Sequence, residues 1–422
     1  VNLTKSGIGV YGKKGSTVNV DNWKFKNNGN EAEEVRLEEG QAPITGNKSL
    51  NPKMVLTHVI NGETYLDSGK TVTSVDDGAI KAEQNIGLMA QGLKAPTVPG
   101  ITWKEANYEI ENYGTIDFSA AKKSTAIYSE SARVKNDGTI KVGENSTGIY
   151  GIYKDGTRKF EGSGSGAKNK LEITTTTNSK INLGNNSTGM YLVNAQKLDN
   201  LGGEIKSTTG ATKNVGIYAL NGAIGEAAYD KDVNYNILTM NNKANITLSD
   251  GSVGIFSRGK GTETADRNIV TNTGNVTLIN DSVYAYTDNS GVNITNNSPM
   301  ISTGDRNYGL YGNGTMTNNG IIDFSTGNGN VGIYSTGGTA RNYGDIKVGA
   351  SNTAAKEYGV GMATGYYDDN PSSPTHDQSF NQGIIENHGT IEVSKPNTMG
   401  MYAVGAGSKA INYGYINLTG SE

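Results

Sequence analysis

The sequence predicts an all-β chain wound as a right-handed parallel β-helix, a solenoid of about 12 coils with three short strands per coil and loops inserted on one side. Three observations predict it. A turn-and-strand motif recurs, with copies roughly 23 residues apart where they are closest, reading NYGTIDF at 112, NDGTIKV at 136, NNGIIDF at 318, NYGDIKV at 342, NHGTIEV at 387 and NYGYINL at 412. A second motif interleaves with it: STAIYS at 124, STGIYG at 146, STGMYL at 187, NVGIYA at 214, SVGIFS at 252, NYGLYG at 307, NVGIYS at 330 and TMGMYA at 398, with weaker copies from 7, 85, 282 and 357. The third is composition: 58 Gly in 422 residues and 34 % hydrophobic content are too polar for a conventional globule, but suit a narrow stacked core with Gly- and Asn-rich corners.

The strand after each N-x-G turn follows a two-residue period. Ile116 with Phe118, Ile140 with Val142, Ile322 with Phe324 and Ile391 with Val393 therefore point inward, and Asp117, Lys141, Asp323 and Glu392 outward. The stretch before each Asn supplies a short strand with one inward aliphatic residue, as at Val134, Val270, Met316, Ala340, Ile385 and Ile411. The GIY motif supplies the remaining strand. One such coil cannot repay its own backbone ordering, at roughly 1–2 kcal/mol per residue, so coils must stack.

The turn asparagines, Asn112, Asn136, Asn318, Asn342, Asn387 and Asn412, are expected to form a structural ladder, each amide bonding its neighbours above and below while the turn Gly takes a positive φ. The tyrosines of the GIY motif, Tyr128, Tyr150, Tyr218, Tyr311, Tyr334 and Tyr402, are expected to form an outward aromatic column.

Six departures from the repeat read as insertions, at about 27–74, 93–107, 154–178, 221–236, 258–268 and 364–383. Each follows a GIY strand and precedes an N-x-G turn, so the loops project from one corner. They hold the residues least like the repeats, and from them come the ligand-binding candidates Trp103, Tyr229, Tyr366, Tyr367, Asp368, Asp369 and His376. The whole of 1–422 reads as one solenoid, a fragment of a longer chain.

Chemistry is otherwise sparse. No catalytic residue, metal site or cofactor is expected. Cysteine is absent, which excludes disulfides and thiolate sites. A net charge of −4 without a basic stripe argues against nucleic acid. Only His58, His376 and His388 could serve as bases, and none lies in a nucleophile motif. Asp230, Asp232, Asn234 and Asn236 alternate as in a calcium loop, but Tyr235 and Asn241 stand where its Gly and Glu belong. In the outward row of the N-x-G strands no two carboxylates fall on adjacent coils, so the paired acids of a glycosidase are not evident.

The combined repeat, Asn-x-Gly-x-Ile-x-Val/Phe followed by Thr/Val-Gly-Ile-Tyr, resembles the passenger domains of type V autotransporters, in particular the large fusobacterial outer-membrane adhesins. That resemblance implies a β-helical passenger displayed on, or secreted from, the surface of a Gram-negative bacterium, with its own C-terminal outer-membrane barrel beyond this chain. It further implies a virulence-associated adhesin whose partner is a host-cell or bacterial surface receptor, protein or glycan. No binding residue of the family has a motif to match here. Two alternatives stay open: a polysaccharide lyase or glycoside hydrolase built on a β-helix, and a passive structural spacer.

Overall fold

The computed structural model describes all residues except 1, 4–6, 14, 22–23, 28–31, 93–108, 154–170, 222–236, 260–266 and 420–422. No helix occurs among the described residues; the chain is a right-handed parallel β-helix built from three parallel sheets. It divides into two compact units, residues 1–211 with 223–235, and residues 212–222 with 236–422.

In the first unit a typical coil runs Thr125–Glu130 on the first sheet, Val134–Asn136 on the second and Thr139–Val142 on the third, before Thr147–Ile152 begins the next turn. Like residues stack on like: Thr125 on Thr147, Ile127 on Ile149, Tyr128 on Tyr150, and Ile140 on Ile181. In the second unit the same order holds, for example Val331–Ser335, Thr339–Asn342 and Asp345–Val348. The short strands alternate half-exposed and buried positions, as in Thr139–Val142, and bury Ile140, Ile149, Ile246, Ile294 and Ile346 in a continuous apolar column within each unit.

The first-sheet strand breaks simple alternation, because its Gly and the following Ile both face inward. A Cβ on Gly148 would lie 2.5 Å from the Gly189 carbonyl of the next coil, so close backbone approach demands glycine. The N-x-G glycine is constrained in the same way. At Gly114, Gly138, Gly320, Gly344, Gly389 and Gly414 it does not take a positive φ, contrary to the expectation from turn chemistry; instead a Cβ on Gly344 would sit 2.0 Å from Gly320 O. Left-handed non-glycine residues lie instead at the entry to the first sheet, at Asn145, Asn186, Lys213, Asp281 and Arg306 with φ of 51–57°, and at its exit, at Glu39, Asn61, Ser131 and Asn194. The amide of Asp281 is bonded across coils, its N–H donating to Asp305 O at 2.9 Å, which compensates the conformation.

Residues 32–74, most of the span 27–74, are not an insertion. They form two coils, with Ala32–Glu38 and Met54–Ile60 on the first sheet, Gln41–Ile44 and Glu63–Leu66 on the second, and Lys48–Leu50 and Thr71–Ser74 on the third. The solenoid therefore has more coils than the motif count gave. Glu34 and Leu56 fill the place of the motif glycine and Thr57 that of the isoleucine, which hid both coils from a search for GIY. Here the interior is partly polar: Lys48 Nζ lies 3.4 Å from Glu34 Oε2, both buried, and the Thr57 and Thr64 hydroxyls are 2.9 Å apart. In the second unit Tyr284 takes the glycine position and is wholly buried, with Ala285 replacing the bulkier aliphatic beside it.

Candidate functional site

Two polar ladders hold the corners rigid. Asn112 Nδ2 donates to Asn136 Oδ1 at 2.7 Å, and Asn136 donates to Ser179 Oγ at 2.6 Å in the first unit. In the second unit the amides run from Asn242 through Asn272, Asn296, Asn318, Asn342 and Asn387 to Asn412, each bond between 2.7 and 2.9 Å. The other ladder was not legible as such in the sequence. It uses the residue before each first-sheet strand: Ser252 N–H donates to Ser282 Oγ at 3.1 Å, Ser282 N–H to Asn307 Oδ1 at 2.9 Å, and Asn307 N–H to Asn330 Oδ1 at 2.8 Å. Both ladders are buried except at Asn412, and such repeated bonds between uncharged groups specify register, although Asn85 Oδ1 in the second ladder has no hydrogen-bond partner.

Outward, the tyrosines stack ring on ring. Tyr128, Tyr150 and Tyr191 lie 5.1 and 5.3 Å apart with planes 11° and 8° from parallel, so their faces are spent on each other and only edges meet solvent. In the second unit Tyr218 stacks on Phe256, but the planes then tilt by 58° to Tyr286 and by 62° between Tyr286 and Tyr311. Burial, with Tyr311 adding to it, pushes the Tyr334 phenol up to about 12, and its hydroxyl donates to Gly365 O at 2.9 Å. The column thus anchors the base of the excursion at 364–383.

That excursion is a small antiparallel hairpin, Tyr366–Tyr367 with Ser379–Phe380. Because strand side chains alternate, the candidates are split between its two faces. Tyr366 and Phe380 share one face, ring centres 6.5 Å apart, while Tyr367 lies on the other and donates its hydroxyl to Asp377 Oδ1 at 2.7 Å. Ser379, on the Tyr367 side, packs on Gly405 of the following coil, where an added Cβ would meet Ser379 Cβ at 2.7 Å. Tyr366 is 50 % exposed and Tyr367 42 %. Asp368 is only 4 % exposed. Hydroxyl bonds from Ser373 and Thr375 hold its carboxyl below the usual range, and it accepts the Asn370 N–H at 3.1 Å, so its part is to shape the turn. Asp369 and His376 are exposed at the tip, with His376 Nε2 3.4 Å from Asp377 Oδ1. Trp103 and Tyr229 lie outside the described residues, as does most of the 93–107, 154–178, 221–236 and 258–268 insertions.

The hairpin connects the first sheet to the second, and four spans outside the described residues fall at the same point of the chain order, between a first-sheet and a second-sheet strand. Residues 93–108 follow Ile86–Gln91, 154–170 follow Thr147–Ile152, 222–236 follow Val215–Leu220, 260–266 follow Val253–Arg258, and the hairpin follows Val360–Thr364. Two further departures, at 75–85 and 349–359, lie instead between the third and first sheets and were not foreseen.

Residues 310–422 match the family model of the BigA third pectate lyase-like domain. The match covers the hairpin and the last coils of the second unit. No curated protein and no solved structure matches the chain.

Among the described residues the outward charges of the N-x-G strands form ion pairs between adjacent coils. Lys141 Nζ is 2.8 Å from Asp117 Oδ2, and Lys347 Nζ 3.3 Å from Asp323 Oδ2. Burial pushes both carboxyls up, but the hydroxyl, backbone and lysine contacts outweigh it and hold them low, the opposite of what a general acid needs. Among the described residues no group of three His, Cys, Asp or Glu side chains could hold a metal ion. A third aromatic stack, Tyr343, His388 and Tyr413, occupies the N-x-G corner with centroids 4.7 and 4.8 Å apart.

Proposed function

We propose that the chain is a cell-surface β-helical segment of a Gram-negative bacterium, the passenger of an autotransporter-type adhesin, whose first-to-second-sheet corner meets a host-cell or bacterial receptor. The observation that carries this is the hairpin at that corner: Tyr366 and Phe380 lie on the face turned away from the coil that Ser379 packs on, above a column of tyrosines that fixes the hairpin's base. Exposed aromatics on a rigid scaffold are the usual anchors of recognition. The match to a pectate lyase-like domain of BigA supports a β-helical surface protein.

The test is binding of the purified chain to cells and to arrayed glycans, beside a Tyr366→Ala/Phe380→Ala double variant. Wild-type binding lost in the variant supports the reading; equal binding by both overturns the assignment to the hairpin, and no binding by either overturns the adhesin reading. A second reading, a polysaccharide lyase or glycoside hydrolase, is favoured by the pectate lyase-like match alone. New reducing or unsaturated ends released from a panel of acidic and neutral polysaccharides would establish it.

A further inference from the structure

His58 faces outward from the first sheet of the first unit, yet it is 4 % exposed. Both ring nitrogens meet oxygen: Nδ1 is 2.8 Å from Glu33 Oε1, and Nε2 is 2.7 Å from Gln91 Oε1. A neutral imidazole has one donor and one acceptor, so it satisfies only one of these contacts. Gln91 does not escape by turning its amide over, because its Nε2 donates to Glu130 Oε2 at 3.3 Å and the flipped oxygen would face that carboxylate. The donors therefore run one way, from His58 to Glu33 on one side and from His58 through Gln91 to Glu130 on the other.

These residues belong to four successive first-sheet strands, Ala32–Glu38, Met54–Ile60, Ile86–Gln91 and Thr125–Glu130. Among the described residues the charged groups that face the ring are Glu33 and Arg36 from the coil before, Arg36 Nη1 lying 3.6 Å from Glu33 Oε1, and Glu130 from beyond Gln91; Met89 is the in-register neighbour on the other side.

We propose that protonated His58 is a pH-sensitive clasp that ties these four coils together, and that loss of its proton loosens the start of the solenoid. Deprotonation leaves one of the two acceptors facing a bare ring nitrogen lone pair, on a ring that is itself almost wholly buried. In this arrangement the clasp is complete while the ring carries its proton and is lost when the proton leaves, so it weakens as pH rises.

The experiment uses the full chain labelled with nitrogen-15 histidine, whose three signals are assigned with His58→Gln. His58 should show both ring nitrogens protonated at pH 7. In a Glu34→Gln background, which removes the nearby interior carboxyl, amide exchange in Met54–Ile60 and Ile86–Gln91, corrected for intrinsic rates, should speed up by as much as about tenfold per pH unit once the proton leaves. His58→Gln should abolish that slope. Should that variant not fold, Gln91→Leu, which removes one acceptor, should move the transition to lower pH. A neutral ring at pH 7, a slope that persists in His58→Gln, or a transition that Gln91→Leu leaves in place would each overturn the proposal.

Discussion

Replacing Asn342 by alanine tests whether the amide ladder or the apolar column sets the strength of the second unit. Asn342 is fully buried; it accepts from Asn318 Nδ2 at 2.8 Å and donates to Asn387 Oδ1 and to Gly344 O, both at 2.9 Å. The loss is partly cushioned, since Asn318 Nδ2 still reaches Gly320 O and Gly344 O still accepts from Thr390 N–H. Asn387 Oδ1 is left bare. Three bonds at about 1 kcal/mol each, with about 1–2 kcal/mol for the orphaned oxygen, give a destabilisation of about 4–5 kcal/mol. Urea unfolding would read it as a lower midpoint, and Thr317→Ala on the outward face of the neighbouring strand should cost under about 0.5 kcal/mol. In a stacked array each coil leans on its neighbours, so hydrogen exchange should rise first in Thr315–Asn318, Thr339–Asn342 and Ile384–Asn387. A loss below about 1 kcal/mol, or an exchange change spread evenly over the unit, would refute the reasoning.

Three further outcomes follow from the same geometry. Gly344→Ala, which drives a methyl into Gly320 O, should cost at least as much as the asparagine change, read by the same urea midpoint. Burial pushes the Glu34 carboxyl up to about 7 from an ordinary 4.5, against the pull of Lys48. The folded state therefore holds an extra proton across that window, and stability should fall by about 3 kcal/mol as pH climbs through it, a slope that Glu34→Gln removes in thermal melts. His388→Ala breaks both ring contacts of the Tyr343–His388–Tyr413 stack and should cost about 1–3 kcal/mol by urea unfolding, with His388→Phe recovering most of it.

The fold was legible because coil geometry imposes the same demand at the same place many times over: Ile140, Ile346 and Ile391 fill equivalent interior positions, and Gly138, Gly344 and Gly389 pass equivalent carbonyls. What escaped was wherever the demand was met by other chemistry. The coils at 32–74 carry Glu34 with Lys48 and Thr57 with Thr64 where others carry glycine and aliphatics, so no motif betrayed them. The glycine of N-x-G was read as a turn former, whereas the restriction on it comes from the neighbouring coil, which a single strand of text does not display. At the candidate site the aromatic residues of the 364–383 excursion stood out by composition, but their division between two faces depends on the antiparallel register of Tyr366 with Phe380. Phe380 itself went unnamed for that reason, and Asp368, conspicuous beside Asp369, turned out to be internal to the turn.

The junction between the first and second sheets accepts anything from the tight connection at Ser131–Arg133 to the hairpin rooted at Gly365, while the strands on either side keep their register. Such a junction uncouples what a coil presents to solvent from what packs its interior. A foreign peptide grafted between Thr287 and Val292, where the native link is short, should be carried without retuning the coil interior, so this corner can take on new sequence by exchange of short cassettes while the strands beside it stay unchanged.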